Sequence, residues 1–275
     1  MNSTQDFDAR ARTWDDDPMK TARAQAVADA IRRSIPNLAD MHGLEFGCGT
    51  GLLSFALQAH LKQIVLADSS PGMLEVLREK IVASHIANMT PIQLDLTSDP
   101  LPEQRFDLIY SLMTLHHIPD TEAVLRDMHT LLHQSGYLCI ADLDSEDGSF
   151  HGQDADVHQG FDRQGLTEKA ERAGFRNISF SNVFEIHKEQ PERIYPVFLM
   201  TAEKPRAISR AAPPLRRRRS AAGYRANFDK PAPPAVRREY PSCSRSIRPR
   251  QNPDNRAPGR RAVTMPHPAA CRGSR

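Results

Sequence analysis

The feature that most constrains this chain is a regular alternation of short apolar runs and helix-patterned segments between residues 43 and 143. β-type runs occupy residues 43–48 (GLEFGC), 63–68 (QIVLAD), 91–96 (PIQLDL), 106–112 (FDLIYSL) and 136–143 (GYLCIADL). Between them, residues 52–61, 72–83 and 121–132 carry helical spacing, and Asp120 ahead of Thr121 supplies an N-cap. Such a succession winds into a mostly parallel sheet with helices on both faces. A further helix over residues 163–173 ends at Gly174, a favoured stop. Two β-type runs follow, at 177–187 and 195–202, with no helix between them, so the sheet is expected to finish on an antiparallel edge.

Charge divides the chain more sharply than its formal net of +2 suggests. Residues 1–203 carry a net of −14 and residues 204–275 a net of +16, and 12 of the 21 prolines fall in that last stretch. The reading is one acidic folded domain over 1–203, opened by a helical cap at 1–40, and a basic Pro/Arg-rich disordered tail over 204–275. The tail, with four consecutive arginines at 216–219, is either a solvated extension or an electrostatic anchor for nucleic acid or an anionic membrane surface. No apolar run approaches the roughly 18–20 residues of a membrane span, so no integral membrane protein is expected. The opening MNSTQDFDAR lacks a basic-then-apolar leader, and the four cysteines form no CxxC pair. Both point to a reducing cytoplasm and away from a cysteine metal site or a disulfide framework.

The sharpest local signal is LEFGCGTG at residues 44–51, where a strand turns into a helix. Gly47 and Gly49 open backbone conformations closed to other residues, and Gly51 lets the helix start close to the strand. The exposed amides and helix start favour an anionic ligand group. Asp68, at the end of the second run, can accept hydrogen bonds from both ribose hydroxyls, and Asp95 with Leu96 can border an adenine. All three loops fall at the carboxyl ends of adjacent strands, where open α/β sheets bind ligands. Taken singly, each also has a structural reading: Gly51 as packing, Asp68 as a turn residue, Asp95 as a helix cap.

In this combination, with the fourth-run segment FDLIYSLMTLHHIPD, the sequence resembles the class I S-adenosylmethionine-dependent methyltransferases, most closely the small-molecule, ubiquinone-biosynthesis-like branch. The resemblance covers roughly residues 5–203. It implies an α/β, Rossmann-like, doubly wound sheet of seven strands in the order 3-2-1-4-5-7-6, with strand 7 antiparallel. It implies S-adenosylmethionine as cofactor, with Glu45, Gly47 and Gly49 around its methionine portion and Cys48 and Gly51 in the same loop. Asp68 would hold the ribose, Ser69 and Met73 would lie beside the adenosine, Asp95 and Leu96 would border the adenine, and Ser111 and Leu112 would line the methyl path. Phe7 or Trp14 would cover the pocket.

Methyl transfer to a neutral hydroxyl or a protonated amine requires the acceptor to lose a proton, work suited to a histidine. His116 and His117 follow the fourth run and are the candidate catalytic residues, ahead of His151 and His158 in the Asp/His-rich stretch 142–158. His151, Asp154, Asp156 and His158 could alternatively ligate a metal, but the chemistry needs none and none is expected. The chain has no Asn/Asp-Pro-Pro-aromatic motif after the fourth run and no Pro-Cys dipeptide, which disfavours base-amine and cytosine-C5 methylation. The expected acceptor is therefore an oxygen or nitrogen atom of a small molecule, with nucleic acid possible only through the tail. The rivals are a nicotinamide-dependent oxidoreductase, disfavoured because Leu52 stands at the sixth position of G-x-G-x-x-G, and a non-catalytic cofactor-binding or nucleic-acid-binding protein.

Overall fold

The computed structural model describes residues 4–152, 156–189 and 192–206. Its sheet has seven strands in the order β3-β2-β1-β4-β5-β7-β6. The strands are β1 (His42–Phe46), β2 (Gln63–Asp68), β3 (Met89–Gln93), β4 (Phe106–Leu112), β5 (Leu132–Leu143), β6 (Arg176–Glu189) and β7 (Glu192–Glu203). All neighbours pair parallel except β7, which runs antiparallel to both β5 and β6. Leu44 stands opposite Val65 of β2 on one side and Ile109 of β4 on the other. The strand order therefore reverses at β1, and the crevice beyond the carboxyl ends of β1 and β4 is where such a sheet takes a ligand.

Among the described residues six α-helices accompany the strands: α1 (Thr4–Arg10), α2 (Pro18–Ser34), α3 (Leu52–Leu57), α4 (Pro71–Ala83), α5 (Thr121–Leu131) and α6 (Arg163–Ala173). Their starts follow from local chemistry. Asp17, Ser70, Asp120 and Asp162 each accept a backbone N–H of the first turn, and Pro18 and Pro71 fill positions where a missing N–H costs nothing. The strands are apolar on both sides, and successive residues go to opposite layers. Leu108 and Tyr110 pack with α2, α3 and α4, whereas Phe106 and Ile109 pack with α5 and α6.

Several boundaries differ from the sequence reading: α3 ends at Leu57 rather than 61, and β6 and β7 are longer than expected. β1 stops at Phe46 because Gly47 turns the chain at a φ of +65°. The third strand is shifted to Met89–Gln93, because the Asp95 carboxylate accepts the Thr97 N–H and hydroxyl and winds the chain off the sheet. β5 begins at Leu132 rather than 136, with an irregular register against β4. No helix among the described residues is long and apolar enough to cross a membrane. Beyond residue 206 the basic tail expected from composition lies outside the described residues.

Candidate active site

A cavity of about 690 Å³ opens at the carboxyl ends of the central strands. Its floor is the turn between β1 and α3. A Cβ on Gly47 would lie 2.1 Å from Cγ2 of Thr114, so only glycine lets the turn press against the segment after β4. Gly49 also has positive φ, but a Cβ there would meet nothing nearer than 3.9 Å. Its open side faces Trp14 and Met73, both of which line the cavity. Gly51 packs against Leu77 and Leu66 and supports the turn from behind.

Asp68 ties this turn to β2. One carboxylate oxygen accepts the Gly49 N–H at 2.7 Å and the other accepts the Ser70 N–H at 2.9 Å, leaving further lone pairs toward the cavity. Burial raises its pKa against the pull of these hydrogen bonds. Glu45, buried at the end of β1, accepts a hydrogen bond from Ser54, whose hydroxyl also meets the Tyr110 hydroxyl at 2.7 Å. Burial pushes Glu45 up to about 8. Cys48 is buried too, and its thiol is held well above the ordinary range by burial, with Asp68 and Glu45 adding to it, which leaves it unsuited to act as a nucleophile.

Of the residues selected from the sequence, Glu45, Gly47, Cys48, Gly49, Asp68, Ser69, Met73, Asp95, Leu112, His116 and His117 line this one cavity. Gly51, Leu96 and Ser111 do not. Leu96 is buried in the layer of α5 and α6, and Leu94 and Thr97 face the cavity beside Asp95 instead. Ser111 is buried, with its hydroxyl unpaired.

The N-terminal segment forms one wall. Phe7 and Trp14 meet edge to face at 5.9 Å and line the cavity together. Asp8 accepts hydrogen bonds from the Ser70 hydroxyl and the Gly72 N–H, and Asp15 accepts from Thr50 and Lys80, so the wall is fastened to the loops it covers. Arg23 of α2, not singled out by the sequence, also lines the cavity, and its buried Nε has no partner. Burial draws its pKa down, opposed by Asp17 and Asp142.

The opposite end is built from histidines. Met113, at a φ of +55°, turns the chain sharply after β4 and returns His116 and His117 to the cavity. His116 is 1% exposed, and its Nδ1 lies 2.7 Å from a carboxylate oxygen of Asp142 in β5. Burial alone would raise Asp142, but the charge of His116 and hydrogen bonds from His116 and Leu143 bring it below the ordinary carboxylate value. Nε2 of His116 is 2.9 Å from Nε2 of His151. His117 stands edge-on to Phe7, and its buried Nδ1 has no partner. Burial, reinforced by the neighbouring histidines, lowers His117 to about 3; burial, His116 and Lys188 lower His151 to about 4.

His151, ranked second from the sequence, thus joins the pair directly. His158 instead binds the Ile118 carbonyl through Nε2 and gives its N–H to the His116 carbonyl. Asp154 lies outside the described residues. Asp142 and Arg23 left no readable signal, because their roles depend on contacts 26 residues away and on a buried atom without a partner.

Residues 44–140 match the family profile described as a methyltransferase domain. An uncharacterized methyltransferase of Schizosaccharomyces pombe is 32% identical over 163 residues, 54% of this chain and 56% of its own length. A ubiquinone/menaquinone biosynthesis C-methyltransferase of Shewanella frigidimarina is 33% identical over 108 residues, 38% of this chain and 43% of its own length. The chain thus spans about half the length of the curated relatives it matches. In fold it is similar to phosphoethanolamine N-methyltransferase 2 of Haemonchus contortus in complex with S-adenosyl-L-methionine, with a TM-score of 0.55, 17% identity, and coverage of 66% of this chain and 52% of that one. The matched segment carries the glycine turn and Asp68, so this part of the chain is similar to a methyltransferase domain, and the sheet has the strand order expected from the resemblance.

Proposed function

We propose that the protein binds S-adenosylmethionine in this cavity and transfers its methyl group to an oxygen or nitrogen atom of a small molecule. The observation that carries the reading is a single cavity joining the glycine turn and Asp68 to His116 and His117. Two features support the fit of the cofactor. The open side of Gly49 leaves room for close approach to the backbone, and the unpaired Nε of Arg23 calls for an anionic partner such as an amino-acid carboxylate.

In this reading Glu45, Gly47, Cys48 and Gly49 surround the methionine portion, with Gly51 as their support. Asp68 accepts from the ribose hydroxyls, Ser69 and Met73 lie beside the adenosine, and Asp95 borders the adenine with Leu94 and Thr97. Leu112 lines the methyl path and Ser111 backs it from β4. When bound, the cofactor supplies a methyl group already activated on a sulfonium. The chain has to align the acceptor and exclude water. Phe7 and Trp14 cover the cavity, and the turn at Met113 sets the histidines at its far end. There His116, with Nδ1–H donated to Asp142, presents Nε2 as a proton acceptor, and His117 offers a second ring.

The acidic balance of residues 1–203 favours a small acceptor over nucleic acid, and contact with nucleic acid through the tail stays a proposal for residues outside those described. The free buried thiols of Cys48 and Cys139 accord with a cytoplasmic setting. Calorimetry with S-adenosylhomocysteine and with NADH tests the reading. The expected result is binding of the former alone, weakened at least about tenfold in Asp68→Ala with circular dichroism retained. Binding of NADH without S-adenosylhomocysteine would restore the oxidoreductase alternative. Incubation with methyl-labelled cofactor and a metabolite extract, followed by mass spectrometry, identifies the acceptor atom.

A further inference from the structure

We propose that His116, His117 and His151 form a binding site for a divalent transition-metal ion, zinc in the first instance, at the acceptor end of the cavity. The inference deepens the methyltransferase reading and rests on it only for the use of the ion, not for its binding.

The three rings come from two separate segments, the turn after β4 and the stretch after β5, and one ligand nitrogen from each lies within 4.8 Å of the others. The Nε2 atoms of His116 and His151 are 2.9 Å apart. Nitrogens around a tetrahedral zinc stand about 3.3 Å apart, given Zn–N bonds of about 2.0–2.1 Å, so small side-chain rotations convert this cluster into a ligand set.

The surroundings have the arrangement of a ligand support. Asp142 is fully buried and accepts from Nδ1–H of His116, from the His116 N–H and from the Leu143 N–H. A carboxylate behind the non-ligating nitrogen fixes the ring and directs the Nε2 lone pair toward the cluster. His117 holds a buried Nδ1 with no hydrogen-bond partner, an unmet polar atom for which an ion with its bound water provides a partner.

The donor set chooses the class of ion. Three imidazoles with no carboxylate among them suit zinc, cobalt, nickel, copper or iron and not magnesium or calcium. Three protein ligands also leave a position open to the cavity, where water or the heteroatom of an acceptor can bind; with the ion bound, Nε2 of His116 is a ligand and no longer a base, and metal coordination lowers the acceptor's pKa in its place. This set differs from the one weighed on sequence, which grouped His151 with Asp154, Asp156 and His158; His158 is committed to the Ile118 carbonyl.

The test uses the full chain, stripped with a chelator and titrated with Zn²⁺ by calorimetry, with Co²⁺ as a spectroscopic probe. The expected result is one Zn²⁺ per chain and the visible absorption of tetrahedral cobalt, both lost or weakened at least about tenfold in His151→Ala and unchanged in His187→Ala, an exposed histidine. His151 is exposed, so its variant is expected to fold, and circular dichroism checks that it does. Asp142→Asn should weaken zinc about 10–100-fold without abolishing it. Absence of stoichiometric zinc in the wild type, or equal affinity in His151→Ala, overturns the site. If S-adenosylhomocysteine binds while zinc does not, the metal site fails and the methyltransferase reading stands. If zinc binds through His151 while S-adenosylhomocysteine does not, the reverse holds.

Discussion

The two ends of the cavity are made in different ways. At the glycine-turn end, the cavity is shaped by consecutive backbone between β1 and α3 and by one carboxylate, Asp68, bonded to that backbone. At the histidine end it is shaped by side chains: His116 and His117 from one turn, His151 from another segment and Asp142 from β5. The first end is inseparable from the fold, because the turn that lines the cavity also ends β1 and starts α3. The second can vary without altering a strand. Damage to the first end should appear as lost stability, and damage to the second as lost chemistry in a protein that still folds.

Gly47→Ala is the strongest challenge to that contrast. A methyl group there collides with Thr114 and the residue must hold a φ of +65°, so overpacking and left-handed strain should together cost about 2–5 kcal/mol in urea unfolding. Gly49→Ala shares the strain but not the clash, and should cost about 1–2 kcal/mol while weakening S-adenosylhomocysteine binding in calorimetry. Equal stability losses in the two variants would mean that the turn tolerates contact with Thr114 and that this end is only loosely bound to the fold.

Glu45 gives the same end a pH signature. Its folded value is about 8 against an ordinary 4.5, so the folded protein keeps a proton that the unfolded chain has released. Stability from this group is complete below the unfolded value and is lost as pH rises through the folded one. Below about pH 6.5 the lowered values of His117 and His151 act with the opposite sign, because the unfolded chain then binds protons the folded one refuses. The clean window is therefore about pH 6.5–8, where wild-type stability should fall by about 2 kcal/mol and that of Glu45→Gln should stay nearly flat. An unchanged slope in the variant would assign the proton to another group.

These contrasts explain what the sequence made legible. The alternation of strands and helices, the Asp120 cap and the glycine turn follow from local rules, in which spacing, caps and glycines act on their immediate neighbours, whereas the order of the strands comes from the family resemblance. Leu96 departs from the expected lining by a local effect: the Asp95 carboxylate accepts from Thr97 and turns the chain after β3, so that Leu94, Asp95 and Thr97 line the cavity while Leu96, in the same core cluster as Leu94, does not. The histidine end was only half legible. The His116-His117 pair declares itself in sequence, but nothing local says that His151 reaches it or that His158 does not, because a long segment after β5 decides both. Arg23 was invisible for the same reason, as its significance lies in a partner it lacks.

His117→Ala examines the side-chain end. The ring is half-buried and one of its nitrogens is unpaired, so truncation removes an unmet polar atom along with some packing. The two effects oppose each other, and stability should stay within about 1 kcal/mol of wild type. Methyl transfer, measured with the acceptor that the labelling experiment identifies, should fall at least about tenfold while S-adenosylhomocysteine affinity is retained. A collapse in stability instead would place this ring in the framework and erase the difference between the two ends.

Arg12→Ala should have the smallest effect. Arg12 reaches from the N-terminal wall to Glu75 and Glu79 of α4, and all three side chains are more than half exposed. Water and salt screen such pairs, and ordering three long side chains offsets what attraction remains. The wall is held more firmly elsewhere: Asp8 accepts from Ser70 and Gly72, and Asp15 pairs with a partly buried Lys80 that also reaches the Thr50 carbonyl at 2.8 Å. Melting temperature and S-adenosylhomocysteine affinity should therefore match wild type in low and high salt. A salt-dependent loss of affinity in Arg12→Ala, with melting unchanged, would make the exposed pair a latch on the wall, and the glycine-turn end would then depend on side chains as the histidine end does.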